Sequence, residues 1–228
     1  MATHDNASAH AAADYDAQIE VSVPHHRLIH REVIRLVRAV DPAPGEWLDT
    51  GCGTGSLAAE AAAAFPRTRF LLADPSPGML GEAGRKLEAA RDRVAFLPPA
   101  GTGDLEPSAG PVDVLTAVQC HHYLGREARG AALERCRELL RPGGLLVVTE
   151  NVRFASARAQ ELGRRRWIEY QIEAGRVAQA ARAHVDRIDK EFFPITVDEH
   201  LALLGRLGFR DATLFWLSHM QAGVYALR

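Results

Sequence analysis

The chain predicts an α/β fold, with a doubly wound, mostly parallel sheet between helices and a helical cap inserted late. Three observations carry this. A short apolar run at Trp47-Leu48 feeds glycines at alternate positions, Gly51, Gly53 and Gly55, and the alanine-rich residues 56–65 follow as a helix. Short apolar strands then alternate with helical stretches as far as Asn151. Residues 153–188 break that rhythm with a long, charged, helix-rich segment.

Composition sets the outer bounds. A chain of 228 residues suits one domain with an ample core. We expect residues 1–14 as a disordered lead-in and residues 15–228 as a single domain, its cap at about 153–190. Hydrophobic content of 47% and charged content of 25% are ordinary for a soluble globular protein. No apolar run is long enough to span a membrane, and the polar N-terminus lacks a basic-then-apolar signal pattern. Cys52, Cys120 and Cys136 make neither a disulfide framework nor a metal cluster. A cytoplasmic protein without a metal, compatible with a homodimer, is the expectation. The net charge of −2 argues against nucleic acid as the main partner. Residues 151–190 run the other way, with nine Lys/Arg against five Asp/Glu. That excess reads as a solvated helix face, or as a surface turned towards an anionic substrate.

Taken in order, residues 15–23 form an extended or loosely helical entry. Pro24 suits the first turn of a helix, and Leu28, Val33, Leu36, Val37 and Val40 follow at helical spacing. Residues 41–45, rich in Pro, end it. Residues 46–49 are the first strand. Residues 69–74 are the second, apolar enough for burial on both faces. Pro75, Ser76, Pro77 and Gly78 break the chain before a helix over 79–90. A short strand over 93–97 leads into a Pro/Gly-rich loop. Strand four, 112–118, runs into Gln119-Cys120-His121-His122-Tyr123, at the end of the sheet where ligands bind in such folds. A helix over 125–140, a turn at Arg141-Pro142-Gly143-Gly144 and strand five over 145–149 follow. In the cap, Trp167, Ile168, Ile172 and Val177 give a broken apolar face. After it come a helix over 197–207, closed by Gly208, and strands over 212–217 and 224–227.

The glycine turn carries the chemistry. It departs from the dinucleotide fingerprint G-x-G-x-x-G, whose sixth position is here Ser56. It also begins on an acid, Asp49, which suits a cationic ligand group better than a phosphate. A nicotinamide-dependent dehydrogenase is therefore remote. Asp49-Thr50-Gly51-Cys52-Gly53-Thr54-Gly55 resembles the first motif of class I methyltransferases that use S-adenosyl-L-methionine (SAM), and Leu71-Leu72-Ala73-Asp74 and Arg141-Pro142-Gly143-Gly144 continue the likeness. The resemblance implies a Rossmann-like seven-stranded sheet ending in an antiparallel hairpin. It implies that Asp49, Gly51, Cys52 and Gly53 surround the methionine part of SAM, and that Asp74 holds the ribose hydroxyls, with Pro75 beside it. Asp74 lies 23 residues after Gly51, which fits a ribose-binding acid. Met79 would pack on the adenine. Family members place an acid soon after strand three to read the adenine amine. Here Asp104 comes several residues late, so Thr102 or the main chain near Ala100 and Gly101 takes that place. Gln119 would close the cofactor side of the crevice.

Methyl transfer from a sulfonium is an in-line displacement in which the protein aligns and dries the reactants. A base helps with a hydroxyl or ammonium acceptor, and histidine is best poised for it. His121 and His122 follow strand four, and His26 lies on the helix that the resemblance puts over the SAM site. These three are the candidate catalytic residues, each also readable as a hydrogen-bonded structural histidine. The expected activity is methyl transfer to an O, N or S atom of a small molecule, in natural-product tailoring. Two alternatives stay open. The N-terminal stretch and the ending Gly208-Phe209 to Tyr225-Ala226 are also similar to carboxy-SAM synthase, a tRNA-modification enzyme. That family holds its extra carboxylate with an arginine on the helix after the cap, where Leu203-Leu204 stand here. A SAM-binding protein without turnover is the other.

Overall fold

The computed structural model describes residues 11–228. Most of the expected disordered lead-in lies outside the described residues, and Ala12–Asp14 form a 3-10 turn. Strand β1 (Glu46–Thr50) lies at the centre of a seven-stranded sheet. On one side it pairs with β2 (Arg69–Ala73), which pairs with β3 (Val94–Phe96). On the other it pairs with β4 (Val112–Val118), which pairs with β5 (Leu140–Asn151). All four pairings are parallel. The hairpin of β6 (Arg210–Ser218) and β7 (Gln221–Leu227) completes the order β3-β2-β1-β4-β5-β7-β6, with β7 antiparallel to β5. The chain winds outward from β1 to β3, then crosses back to β4. Its direction of winding reverses between β1 and β4, and a crevice opens at their C-terminal ends.

Both faces of the sheet are covered. Trp47, Phe70 and Leu72 pack under Ile29, Val33 and Val37 of α2 (His26–Val40) and Leu57, Ala58 and Ala61 of α3 (Ser56–Ala64). Leu48, Leu115 and Leu146 face the opposite layer, Leu133, Cys136 and Leu139 of α5 (Arg126–Leu139) and Leu204 of α8 (Val197–Arg206). The alternation of Trp47 and Leu48 to opposite faces follows from the two-residue period of a strand. Helix α4 (Pro77–Lys86) opens with proline at its first turn, and Ser76 Oγ accepts the N–H of Met79 at 3.0 Å.

Several elements differ from expectation for local reasons. The entry over 15–23 is a true helix, α1 (Tyr15–Ser22). Pro24 does not open α2. It sits in the corner between the helices, and His25, in the left-handed conformation at φ 59°, turns the chain into α2. The turn at Arg141–Gly144 is absorbed into β5 as an irregularity, because Val112 pairs with Leu140 and Val114 with Leu145. In the cap, α6 (Ala157–Glu173) and α7 (Ala178–Val185) gather Trp167, Val185, Ile188, Phe192 and Met220 into a small core of their own. Ile172 and Val177, expected on the same apolar face, are exposed at 40% and 73%.

The cap and the N-terminal helix clasp one another. Trp167 Nε1 donates to the carbonyl of Ser22 at 2.7 Å, and an Arg176 guanidinium nitrogen donates to Ser22 Oγ at 2.7 Å. At its other end α1 is tied to the sheet layer. Lys86 Nζ donates to Asp16 at 2.6 Å, and the hydroxyl of Thr54 donates to the same carboxylate at 2.6 Å. Hydrogen bonds from Lys86, Thr54 and Ser56 hold the Asp16 carboxyl below its ordinary range against the opposing effect of burial.

Candidate functional site

The glycine turn is built for close approach. Gly51, Gly53 and Gly55 all have positive φ, at 63°, 55° and 74°. A Cβ on Gly51 would stand 2.5 Å from the Cβ of Cys120, so no side chain fits there. A Cβ on Gly53 would meet nothing nearer than Tyr15 Cε1 at 3.9 Å, so this glycine faces open space. The turn is held by β2, through the N–H of Cys52 on the carbonyl of Ala73 at 3.0 Å. Asp74, at the end of β2, accepts the N–H of Gly53 at 2.9 Å through Oδ2 and that of Ser76 at 2.9 Å through Oδ1.

Asp49 is buried below the turn, and Thr116 donates its hydroxyl to Asp49 Oδ1 at 2.6 Å. Burial pushes its carboxyl up to about 7, with the Thr116 hydrogen bond opposing and the Asp74 charge adding. A carboxyl so placed is stabilised by a cationic neighbour.

Two cavities meet at this end of the sheet. The first, about 180 Å³, is lined by Gly51, Gly53 and Asp74 of the turn and β2, by Pro75 and Met79, and by Thr102, Gln119 and His121. Thr102 Oγ1 lies 2.8 Å from Thr50 Oγ1 and 3.0 Å from His121 Nε2. His121 therefore belongs with the groups that could read a purine edge. Burial pushes its pKa down to about 4, so it is neutral at pH 7. Cys52 falls behind the turn, in a hollow of about 30 Å³ shared with Asp49, His26 and His30. His26 stacks edge-on to His30 at 4.5 Å, and burial lowers its pKa to about 3.

The second cavity, about 20 Å³, lies beside the first under α1 and the cap. Its polar walls are His122, Tyr123, Asn151, His184 and Arg187, with no aspartate or glutamate. His122 Nδ1 accepts the main-chain N–H of Asn151 at 3.4 Å, and burial lowers its pKa to about 3. In the neutral ring with Nδ1 as acceptor, Nε2 carries the hydrogen. The Arg187 guanidinium stacks 4.4 Å over the ring of Phe192 and pairs with Glu191 at 2.7 Å. Burial pushes the neighbouring Tyr123 hydroxyl up to about 12, with Arg187 opposing the rise.

The two adjacent histidines thus part company, one to each cavity. A buried clamp holds the turn that carries them. Arg129 donates to the carbonyls of His121 at 3.2 Å and Phe193 at 2.8 Å and to Glu150 at 3.4 Å. Burial alone would raise Glu150, but His200 and Arg129 pull it down to about 2. Sequence reasoning missed Arg129, Asn151, His184 and Arg187. The one signal for Arg187 was the cationic excess of the cap, with its alternative of an anionic substrate. Among the described residues, no helix is long and apolar enough to cross a membrane, and no group of three or more His, Cys, Asp and Glu is placed to hold a metal ion.

The first cavity fits a cationic nucleoside ligand on three counts. Gly53 leaves a cradle that a side chain would fill, Asp49 sits below the turn, and the amide oxygen Gln119 Oε1 is buried without a partner in the protein. Residues 48–146 match the family model of a methyltransferase domain. Carboxy-S-adenosyl-L-methionine synthase of Helicobacter hepaticus is 25% identical over 210 residues, which are 88% of this chain and 85% of the relative. A trans-aconitate 2-methyltransferase of Methylobacterium nodulans is 37% identical over 113 residues, 50% of this chain and 41% of that protein. Among solved structures, human N-acetylserotonin methyltransferase in complex with SAM shares the fold, with a TM-score of 0.61 at 18% identity, over 87% of this chain and 51% of that one. The chain spans about half the length or less of these last two proteins.

Proposed function

We propose that this chain, a class I methyltransferase whose methyl donor is SAM, delivers the methyl group to a heteroatom of a small molecule, as in natural-product tailoring, and that the heteroatom is an oxygen that arrives already negatively charged. The observation that supports the charge is Arg187, which besides its pair with Glu191 lines a small second cavity that has no carboxylate among its walls. Its walls carry two imidazoles, His122 and His184, and no carboxylate. His122 uses Nδ1 on Asn151, and burial keeps the ring neutral with its hydrogen on Nε2. Arg187 is a permanent cation. A carboxylate needs no base, and a guanidinium and an imidazole N–H can orient it.

In the transfer, a lone pair of the carboxylate oxygen forms the new O–C bond. The C–S pair would return to the cofactor's sulfur, and no proton would have to move. The cofactor supplies the reactive methyl. The glycine turn, Asp49 and Asp74 would hold it, and α1 with the cap would exclude water. The relative named for trans-aconitate acts on an acid, which agrees with this reading. We assign the protein to the cytoplasm on the same reading.

A second reading has a specific observation behind it. The apolar Leu203-Leu204 would deny an extra cofactor carboxylate its arginine, yet Arg187 reaches the neighbouring cavity from a different place. A carboxylated cofactor, as in the synthase relative, would meet the same guanidinium. One experiment addresses both. The protein is incubated with SAM and a panel of small mono- and dicarboxylates beside their neutral amides, and S-adenosylhomocysteine (SAH) release is measured. Turnover confined to carboxylates, and lost in Arg187→Met with SAM affinity kept, supports acceptor binding. Tighter binding of carboxy-SAM than of SAM, with no turnover of any acid, favours the second reading.

A further inference from the structure

Arg129 lines neither the first cavity nor the second, yet each of its three acceptors adjoins a wall of the second one. Its Nη2 donates to the carbonyls of His121 and Phe193 and to the Glu150 carboxylate. His122 follows His121 in the chain, Asn151 follows Glu150, and Phe192 precedes Phe193. His122, Asn151 and Phe192 all line the second cavity. They come from three separate places, the turn after β4, the last residue of β5 and the segment that follows α7. A single guanidinium nitrogen is their common anchor. Two further bonds close the frame. The N–H of Phe193 donates to the His122 carbonyl at 2.7 Å, and the N–H of Asn151 to His122 Nδ1 at 3.4 Å.

This is not the geometry of an arginine kept as a counter-ion. A guanidinium paired for charge alone would present two parallel N–H bonds to its carboxylate. Here the shortest contact, 2.8 Å, goes to a main-chain carbonyl, and the Glu150 contact is the longest at 3.4 Å. Nε is buried without a partner. Arg129 is 1% exposed and cannot shed its charge, so burying it is costly unless the span between its acceptors is needed. We infer that Arg129 is a positioning residue for the transfer, holding three walls of the second cavity in register with the first while touching neither ligand. The inference rests on the reading that the second cavity receives the acceptor. Alignment is the protein's main contribution to an in-line displacement, and a misplacement of about 1 Å can cost roughly 100-fold in rate.

The role can be tested by removing the guanidinium and giving it back. Arg129 borders a third cavity of about 570 Å³, whose walls Arg126, Ala202 and Arg206 are exposed. A shortened side chain at position 129 leaves a gap that free guanidinium ion can fill from that side. The variants of the full chain are Arg129→Ala, with and without guanidinium chloride well below denaturing concentration, and Arg129→Lys. Lysine keeps a charge beside Glu150 but is a point donor that cannot span three acceptors, and it covers the case in which the alanine variant, with Glu150 left uncompensated, fails to fold. We expect both variants to bind SAM within about threefold of wild type by calorimetry, while kcat/KM on an acid that the wild type methylates falls about 100-fold. Guanidinium should restore turnover to Arg129→Ala, and equal concentrations of urea or sodium chloride should not. Without any acceptor, the amides of Phe193 and Asn151 should exchange faster in both variants, those of Cys52 and Gly53 should not, and guanidinium should restore protection in Arg129→Ala. Wild-type kcat/KM in Arg129→Lys, SAM affinity that falls in step with kcat/KM, or rescue by sodium chloride would overturn the role. A lysine variant that does not fold would overturn it too, making Arg129 a residue of the fold first. If the wild type methylates no acid, the acceptor reading fails, and the exchange pattern with its guanidinium rescue decides the framing of the cavity.

Discussion

Asp74 and Gly53 are joined by a hydrogen bond of 2.9 Å, from the main-chain N–H of the glycine to carboxylate Oδ2. The acid thus shapes the turn as well as facing the first cavity. Its other oxygen takes the N–H of Ser76, so a single side chain sets both the glycine turn and the approach to α4. Asp74→Ala should weaken SAM binding by roughly 1.5–3 kcal/mol, the range for hydrogen bonds to a charged group, and somewhat more if the turn loosens. Calorimetry that returns the wild-type affinity would remove the ribose role from this residue.

Neighbouring glycines of the same turn should respond in opposite ways. At Gly51 a Cβ would overlap Cys120, so Gly51→Ala should lower the melting temperature and the yield of folded protein. At Gly53 the same atom has room, 3.9 Å from Tyr15, and would stand in the first cavity, which we propose receives SAM. Gly53→Ala should cost roughly 1–2 kcal/mol of stability for its left-handed backbone and at least tenfold in SAM affinity. A Gly53→Ala protein that binds SAM normally would make the turn a connector only.

The sheet was legible in the sequence because its strands are short, apolar and punctuated. That Asp49, Asp74 and the three glycines gather at one turn was legible because the turn constrains their spacing along the chain. The second cavity was not. Its walls come from α1, the end of β4, the end of β5 and the cap, and nothing local in the sequence marks Tyr15, Asn151 and Arg187 as neighbours. His121 and His122 show the same limit at close range. Adjacent residues in a 3-10 turn point apart, and only the fold decides that one meets Thr102 and the other Asn151.

None of the three histidines should behave as a general base. Loss of a base lowers turnover typically 10²–10⁴-fold. We expect His121→Ala to weaken cofactor binding, His122→Ala to raise the acceptor KM with kcat within about tenfold, and His26→Ala to act mainly on stability. Steady-state kinetics on folded variants separate these. A His122→Ala enzyme whose kcat collapses, with loss of an acidic limb in the pH–rate profile, would restore the base.

The cap should be coupled to the N-terminal helix through Trp167 and Ser22. The indole N–H is the donor, so Trp167→Phe keeps an aromatic ring and removes the bond, at a cost of about 1 kcal/mol. Amide hydrogen exchange should then rise in α1 and in α6 together, and both should regain protection when SAM and acceptor bind. Faster exchange in α6 alone would mean that the two segments open independently.

Acid should destabilise the protein well above the ordinary carboxylate range. Burial lowers His26 and His122 to about 3 and His121 to about 4, from an ordinary 6.5. Between pH 4 and 6.5 the unfolded chain therefore binds protons at these rings that the folded chain refuses. Stability rises with pH where the unfolded state holds more protons, so acidification through this window costs up to roughly 1.4 kcal/mol per pH unit for each ring. Asp49 works against them. Its carboxyl is raised to about 7 from 3.8, so between those values the folded state holds a proton that the unfolded state has released, and that contribution favours acid. Three rings outweigh one carboxyl, so the net slope is positive. Below pH 4.5 Glu150, held down to about 2, adds its own loss. Urea midpoints should therefore fall steadily from pH 7 to pH 5, and His26→Gln should flatten the slope by about one proton. SAM should reverse part of the Asp49 effect. A cation beside that carboxyl favours its charged form, so binding near pH 6 should release close to one proton, read as a dependence of calorimetric heat on buffer ionisation enthalpy. Proton release that is absent at pH 6 would place the cofactor's positive charge away from Asp49.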